Sequence, residues 1–215
     1  MSGQVLLSVD PGIDGTGVAA FDMRRGDIGR GSALAGAAAA EALLELRLYE
    51  TDSAASHETR ICSLVGQLRD DVDRYRTVGS RVVIAVEAPS YTGVYGAHGK
   101  KGRSGASVGD GVAKVNRTIG GLVAGAYLLA DELHVYDPDQ LPRALSRVFT
   151  DVKAYRRHQV QQALAAAGRG KANLPGWGRL TELSNEDKID ACWLGFRHLA
   201  GGNITPLQAS LAHGH

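Results

Sequence analysis

The chain has 215 residues, of which 44% are hydrophobic and 22% are charged, and its formal net charge is +1. These values lie near the globular average, so they exclude a disordered or fibrous chain, and the length is sufficient for one substantial core. We therefore expect a single domain over residues 1–200, followed by a C-terminal tail over residues 201–215.

The first 50 residues predict three antiparallel strands. Residues 4–9 are a nearly continuous apolar run, and residues 17–22 follow turn residues of the types Pro-Gly and Asp-Gly, which together indicate a β-hairpin. Residues 44–50 alternate with period two, as expected of a third strand. The alanine-rich stretch 31–42 fits either a helix or an insertion.

The middle of the chain predicts alternating helices and strands. Residues 57–75 carry apolar side chains at spacings of three and four, which indicates an amphipathic helix with its acids and arginines facing outward. Residues 81–87 (RVVIAVE) are short and β-branched, as in a buried, parallel central strand. The glycine-rich stretch 89–111 is expected to lack regular structure, and a helix over 112–131 and a strand over 133–136 follow it.

The last third predicts two helices joined by a basic loop. One helix is expected over residues 155–167, and the loop 168–183 contains several glycines and Trp177. Ser184 is a plausible N-cap for the final helix, because acids follow it in the first turn. Taken together, the elements predict an α/β domain with a mixed five-stranded sheet, three strands antiparallel and the later ones parallel.

Basic residues are concentrated in two stretches of the chain. Residues 91–121 contain five Lys or Arg against one acid, and residues 142–179 contain eight against one. Such clustering favours either a patch for a polyanion such as DNA or an ordinary solvated surface, and charge alone leaves both open.

The composition also suggests a cellular compartment. The N-terminus has no basic leader, and no apolar stretch reaches about 18 residues, so we expect no membrane association. The two cysteines, Cys62 and Cys192, lie in helix-like patterns and are expected to be small buried hydrophobes rather than a disulfide. A reducing, cytoplasmic setting is the expectation.

Four acids stand at positions where side chains of different elements can meet. Asp10 follows the first strand and Glu87 ends the central one, so these two share a sheet end if the strands are neighbours. Asp187 and Asp190 are three residues apart and share one helix face. Clustered carboxylates repel one another and favour hard divalent cations such as Mg²⁺, two of which can promote phosphodiester hydrolysis.

These acids also have simpler interpretations. Asp10 precedes Pro-Gly and could serve only as a turn residue. Asp187 could only favour the helix N-terminus. Glu87 and Asp190 are harder to explain in this way, because apolar residues surround each of them in sequence.

With these residues identified, the chain resembles the RuvC-type Holliday-junction resolvases of the RNase H-like nuclease superfamily. Four motifs carry the resemblance, in the order and spacing that the family shows: VDPGIDGTGVAAFD, VVIAVEAPSY, RRHQVQQAL and NEDKIDACWLGFRHL. The resemblance covers nearly the whole length and implies the RNase H-like fold.

The resemblance also implies roles for individual residues. The family's four catalytic acids, which hold two Mg²⁺ or, as a substitute, Mn²⁺, fall on Asp10, Glu87, Asp187 and Asp190. Its basic residue ahead of a Gln-Val pair falls on Arg157, which is expected to contact the scissile phosphate. The implied activity is that of a crossover junction endodeoxyribonuclease, a hydrolase of DNA recombination and repair that acts as a homodimer on branched DNA.

The motifs define the substrate preference less well than they define the site residues. The family places an aromatic residue three positions after its glutamate, whereas Ser90 stands there and Tyr91 follows. A phage-type enzyme that cuts flaps or forks is therefore the alternative to a strict junction resolvase. We expect DNA contacts from the clustered basic residues and one aromatic: Tyr91, Lys100, Lys101, Arg103, Lys114, Arg156, Arg157 and Lys171.

Two other functional classes are compatible with parts of this sequence. An Asp-Gly-Thr hairpin also cradles phosphate in actin-like ATPases and sugar kinases, but those proteins need a second domain copy for which 215 residues leave no room. The other class is a non-catalytic binder of branched DNA that would use the same basic loops.

Overall fold

The computed structural model describes residues 3–12, 15–24, 35–88, 105–138, 151–170, 173–176 and 186–201. These residues form five strands and five helices. In chain order they are β1 (Gln4–Asp10), β2 (Gly15–Asp22), α1 (Ala35–Ala42), β3 (Leu43–Glu50), α2 (His57–Thr77), β4 (Arg81–Glu87), α3 (Gly105–Leu129), β5 (Glu132–Tyr136), α4 (Val152–Ala166) and α5 (Glu186–Leu199).

The five strands form one mixed sheet in the order β3-β2-β1-β4-β5. β1 pairs with β2 and β2 with β3 in antiparallel fashion, whereas β1–β4 and β4–β5 are parallel pairs. The predicted mixed five-stranded α/β fold is thus confirmed. The three interior strands, β2, β1 and β4, are buried on both faces, which explains the nearly continuous apolar sequences of β1 and β4.

Helices cover both faces of the sheet. Alternate strand residues such as Leu6 and Val83 join one core with side chains of α1, α4 and α5. The intervening residues, such as Leu7 and Ile84, join a second core with side chains of α2 and α3. Helices α4 and α5 thus share one face of the sheet, and α2 and α3 share the other.

The structure resolves one ambiguity of the sequence and corrects one prediction. The helix interpretation of the alanine-rich stretch holds for α1. The stretch 89–111 was expected to be irregular, but its last seven residues belong to α3, which begins at Gly105 rather than at residue 112. Residues 89–104 and Ser184 lie outside the described part of the chain.

Two expectations about α2 are wrong. Its acids were expected to face outward, but Asp71 is buried and accepts a 2.5 Å hydrogen bond from the Tyr49 hydroxyl. Arg47 and Arg74 also pair with Asp71, so three charged or polar partners stabilise the buried carboxylate. Cys62 was expected to be buried but is exposed, whereas Cys192 is buried as predicted, and neither forms a disulfide.

Helix α5 crosses the sheet and is fastened at both ends. At its start, the backbone of Asp187 packs directly on Gly17 of β2, where an added Cβ would lie 1.9 Å from the Asp187 carbonyl oxygen. In its middle, the buried Ser8 hydroxyl donates a 2.7 Å hydrogen bond to the Ala191 carbonyl. Among the described residues, no helix has the length and apolarity that a bilayer crossing requires.

At its other end, α5 is fastened to the edge strand β5. His198 Nδ1 lies 2.9 Å from the Tyr136 hydroxyl, and the His198 and His134 rings pack edge-to-face with centroids 4.6 Å apart. Arg197 lies over the ring of Tyr136 and donates a 2.6 Å hydrogen bond to the Asp137 carbonyl. These contacts fix the direction in which α5 runs across the sheet.

We predict that Gly17→Ala destabilises the protein by about 2 kcal/mol or more, because a methyl group must push the first turn of α5 away from β2. The matched control is Gly66→Ala in α2, where nothing lies within 4 Å of an added Cβ. That change should be neutral or stabilising by up to about 1 kcal/mol. Urea unfolding measures both, and equal midpoints for the two variants would contradict the close contact.

We also predict that His198 makes the free energy of unfolding depend on pH. Burial lowers the pKa of this side chain to about 4, and the neighbouring His134 adds to the effect while Glu132 opposes it. The unfolded chain, with a histidine pKa of about 6.5, therefore takes up the proton first as the pH falls. The stability contribution is complete above pH 6.5 and is lost toward pH 4.

His198→Gln should remove this pH dependence. Between pH 6.5 and pH 4, the free energy of unfolding of the variant should therefore fall by about 2 kcal/mol less than that of wild type. Urea unfolding at several pH values in this window measures the difference. Parallel pH profiles of the two proteins would refute the assignment.

Candidate active site

Two carboxylates lie side by side at one end of the sheet. The register pairs Val9 of β1 with Val86 of β4, so Asp10 and Glu87 are the next residues on two neighbouring parallel strands. Asp10 lies two residues after Ser8, whose hydroxyl donates a hydrogen bond to α5. Because strand residues two positions apart point to the same face of a sheet, the Asp10 side chain lies on the face that α4 and α5 cover. Strand order alone thus brings together two acids that are 77 positions apart in the sequence.

Helix α5 adds the other two acids. Asp187 and Asp190 lie in its first two turns, and Asp190 is only 5% exposed. An added Cβ on Gly15 would lie 3.6 Å from Asp187 Oδ2, so the Asp187 carboxylate adjoins the turn that follows Asp10. The close contact at Gly17 is what allows the helix to approach this end of the sheet.

The electrostatics show that the four acids form one cluster. The pKa of the Asp10 carboxyl is raised well above its usual value, first by burial and then by the negative charges of Asp190, Glu87 and Asp187. The positive charge of Arg156 opposes this shift only in part. The arrangement therefore favours additional positive charge near Asp10.

Among the described residues, Arg156 is a buried cation that contacts two of the four acids. Its Nη1 donates a 3.0 Å hydrogen bond to Asp190 Oδ1, and its Nη2 lies 3.1 Å and 3.0 Å from the two carboxylate oxygens of Glu87. The residue is 3% exposed. A single guanidinium thus joins an acid from β4 to an acid from α5.

A second cation stands at the edge of the cluster. Lys153, one turn earlier on α4, places its Nζ 3.5 Å from Glu186 Oε2 and 3.8 Å from Asp190 Oδ2. Burial lowers the pKa of this amine, but attraction to Asp190 and Glu186 outweighs it, so the pKa is raised. Lys153 was not among the predicted site residues, although its spacing from Arg156 and Arg157 places all three on adjacent turns of one helix.

The structure distinguishes two arginines that are adjacent in sequence. Arg157, expected to contact the scissile phosphate, pairs with Glu186, and its side chain is 39% exposed. Arg156, expected to contact the DNA backbone, is buried between Glu87 and Asp190. Asp151 accepts a 2.8 Å hydrogen bond from the Ala154 amide and caps α4, which fixes the start of the helix that carries both arginines.

The other predicted DNA contacts are only partly described. Lys114 lies exposed on α3. The remaining predicted contacts lie outside the described residues, and they are Tyr91, Lys100, Lys101, Arg103 and Lys171.

The carboxylates have the chemistry of a Mg²⁺ or Mn²⁺ site, since both ions prefer carboxylate oxygens. Burial, followed by the negative charges of Asp190, Glu87 and Asp187, raises the pKa of Asp10, and a divalent ion bound there would offset both effects. In the described part of the chain, no three acidic, histidine or cysteine side chains are already arranged to coordinate an ion. Arg156 stands between two of the carboxylates, so the donor set fits a metal only after the guanidinium has withdrawn.

Comparisons with known proteins bear on the fold. No family model matches the chain, and no curated protein matches it. Among solved structures, Thermus thermophilus RuvC matches with a TM-score of 0.52 and 17% identity over 93% of this chain and 98% of that one. T. thermophilus RuvC in complex with a Holliday junction substrate matches with a TM-score of 0.52 and 16% identity over 93% and 97%. The likeness concerns the fold: the described residues share the mixed-sheet α/β fold of RuvC.

Proposed function

We propose that the protein is a metal-dependent endonuclease that hydrolyses phosphodiesters of branched DNA, with the Holliday junction as its substrate. One observation carries the proposal: Asp10, Glu87, Asp187 and Asp190, which come from three separate elements, influence one another at a single end of the sheet. A fold does not need four repelling acids at one place for its stability, so their convergence indicates a functional site.

Each acid would have a defined part in holding the metal. Asp10 and Glu87 project from strand ends, and Asp187 and Asp190 from a fastened helix, so all four would present oxygens with little freedom to move. Together they would hold two Mg²⁺ or Mn²⁺ ions, and the chemistry that such ions would supply is activation of a water and stabilisation of the leaving oxygen. We propose products that carry a 5′ phosphate.

Exposed cations at the edge of the site would receive the DNA strand. The side chains of Lys153 and Arg157 are 54% and 39% exposed and lie on the α4 side of the acids. A phosphate approaching the cluster would reach both of them before the buried Arg156. We therefore assign the phosphate-orienting role to Lys153 and Arg157 together.

Branched DNA is proposed as the substrate for two reasons. One solved structure of the same fold contains a Holliday junction substrate. The other reason is the pair of basic stretches in the sequence, which would supply backbone contacts through the predicted residues other than the buried Arg156. Flaps and replication forks remain the alternative substrates.

We predict that Asp10→Asn and Asp190→Asn each reduce cleavage at least about 100-fold, because loss of even an indirect metal partner costs 10- to 100-fold. The test uses labelled four-way junction, flap, fork and duplex DNA with Mg²⁺, Mn²⁺, Ca²⁺ or EDTA. Binding of the junction in Ca²⁺ should be retained. Asp10→Asn should not lower the free energy of unfolding, since it removes a buried carboxylate whose ionisation is disfavoured.

The control variant for this experiment is Asp70→Asn, which neutralises an exposed acid of α2 on the other face of the sheet. It should cut like wild type. Undiminished cleavage by Asp10→Asn in Mg²⁺ would refute the nuclease proposal. A protein that shifts the junction without metal-dependent nicking would instead be a non-catalytic binder.

We further propose a symmetric dimer, since a four-way junction has approximate two-fold symmetry and is cut on two opposed strands. The exposed apolar surface of α3 is the proposed contact. Tyr127 and Leu128 are 74% and 81% exposed on this helix, and Ala124 lies exposed one turn earlier. Large apolar side chains exposed together on one surface are typical of an interface.

Leu128→Glu should convert the dimer to a monomer, because it places a charge in the proposed apolar contact. Analytical ultracentrifugation measures the change. Val135→Glu on the edge strand β5, where the side chain is 52% exposed, is the matched control and should leave the dimer intact. A wild-type chain that sediments as a monomer at all concentrations, or a dimer lost only in Val135→Glu, would contradict the α3 interface.

A further inference from the structure

We propose that Arg156 is a built-in competitor of the metal ion: its guanidinium occupies the carboxylates of Glu87 and Asp190 in the ion-free protein and must leave them before an ion can be held. The inference rests on the proposed function, because it concerns the same carboxylates. It adds a step that controls metal loading.

The contacts of Arg156 consume oxygen atoms that a metal would need. Both carboxylate oxygens of Glu87 lie within 3.1 Å of Nη2, and Asp190 Oδ1 accepts from Nη1 at 3.0 Å. These two acids come from the strand and the helix that the site must bring together. A guanidinium in this position and an ion between the same two acids exclude each other.

Burial makes the competition strong. The side chains of Arg156, Glu87 and Asp190 are 4%, 10% and 6% exposed, so water screens their attraction poorly. Arginine also remains protonated at any pH at which the protein is folded. The guanidinium can therefore leave the acids only by moving, not by losing its proton.

The backbone that carries Arg156 is held in place. The preceding residue, Tyr155, is buried and packs edge-to-face on Trp193 of α5, with ring centroids 5.6 Å apart. Asp151 caps the same helix one turn earlier. Because α4 is fixed against α5, release of the carboxylates requires rotation of the Arg156 side chain rather than displacement of the helix.

Arg156 stabilises the ion-free protein by offsetting the repulsion between the acids. Without a cation between them, Glu87 and Asp190 would face each other and Asp10 in a site with little water. Arg156 supplies that charge and keeps the acids close together. The cost is a higher metal concentration for occupancy, because the same contacts must be broken on loading.

The test measures Mn²⁺ binding without DNA. Free Mn²⁺ is followed by electron paramagnetic resonance in titrations of wild type and Arg156→Gln. Because two charge-assisted contacts no longer compete, the variant should bind Mn²⁺ at least about tenfold more tightly. Its melting temperature should be lower than that of wild type in EDTA and should rise more on addition of Mn²⁺.

Two further variants make the test selective. Arg74→Gln removes an arginine that also pairs with two acids, Glu45 and Asp71, but on the α2 side of the sheet. It should be less stable than wild type with unchanged Mn²⁺ affinity. Arg156→Lys keeps one positive charge without the two-pronged contact, and it should bind Mn²⁺ with intermediate affinity even if Arg156→Gln does not fold.

The outcomes separate this inference from the proposed function. Equal or weaker Mn²⁺ binding by the Arg156 variants, in a protein whose wild type cuts junctions, would overturn the competition and leave the nuclease proposal intact. If wild type and all variants neither bind Mn²⁺ nor nick a junction, both proposals fail. Tighter binding in the Arg156 variants alone supports the competition.

Discussion

Repulsion between carboxylates held out of water is the constraint on which the organisation of this protein depends. At Asp10, burial first and then the charges of three neighbouring acids raise the pKa of the carboxyl group. Such a cluster forms only if packing elsewhere holds the contributing elements together. Here α5 supplies that packing through a backbone contact at Gly17, a hydrogen bond from Ser8 and the aromatic contacts at its far end. The acids consequently sit on rigid elements rather than on loops.

Much of this arrangement could be predicted from sequence, because it depends on local patterns. Apolar runs and alternation predicted each strand of the sheet, and the ends of two strands predicted where Asp10 and Glu87 would meet. The spacing of Asp187 and Asp190 likewise predicted a shared helix face. These features require only the periodicity of an element and the order of the strands.

The features that sequence could not predict depend on tertiary partners. Neighbouring residues on a helix differ by about 100° in direction, so choosing between Arg156 and Arg157 requires the phase of α4. The sequence does not reveal which face of α4 is buried, because that face includes Arg156 and Gln159 as well as apolar residues. Asp71 was misjudged for a related reason, since the hydroxyl that stabilises it comes from Tyr49 on a different element.

The two cysteines have a practical consequence. Cys62 is exposed on α2 and Cys192 is fully enclosed, and the chain contains no others. A maleimide fluorophore or nitroxide would therefore attach at a single position in the unmutated protein. That position lies on the helix layer opposite the acids, so a probe there could report tumbling and association without disturbing them.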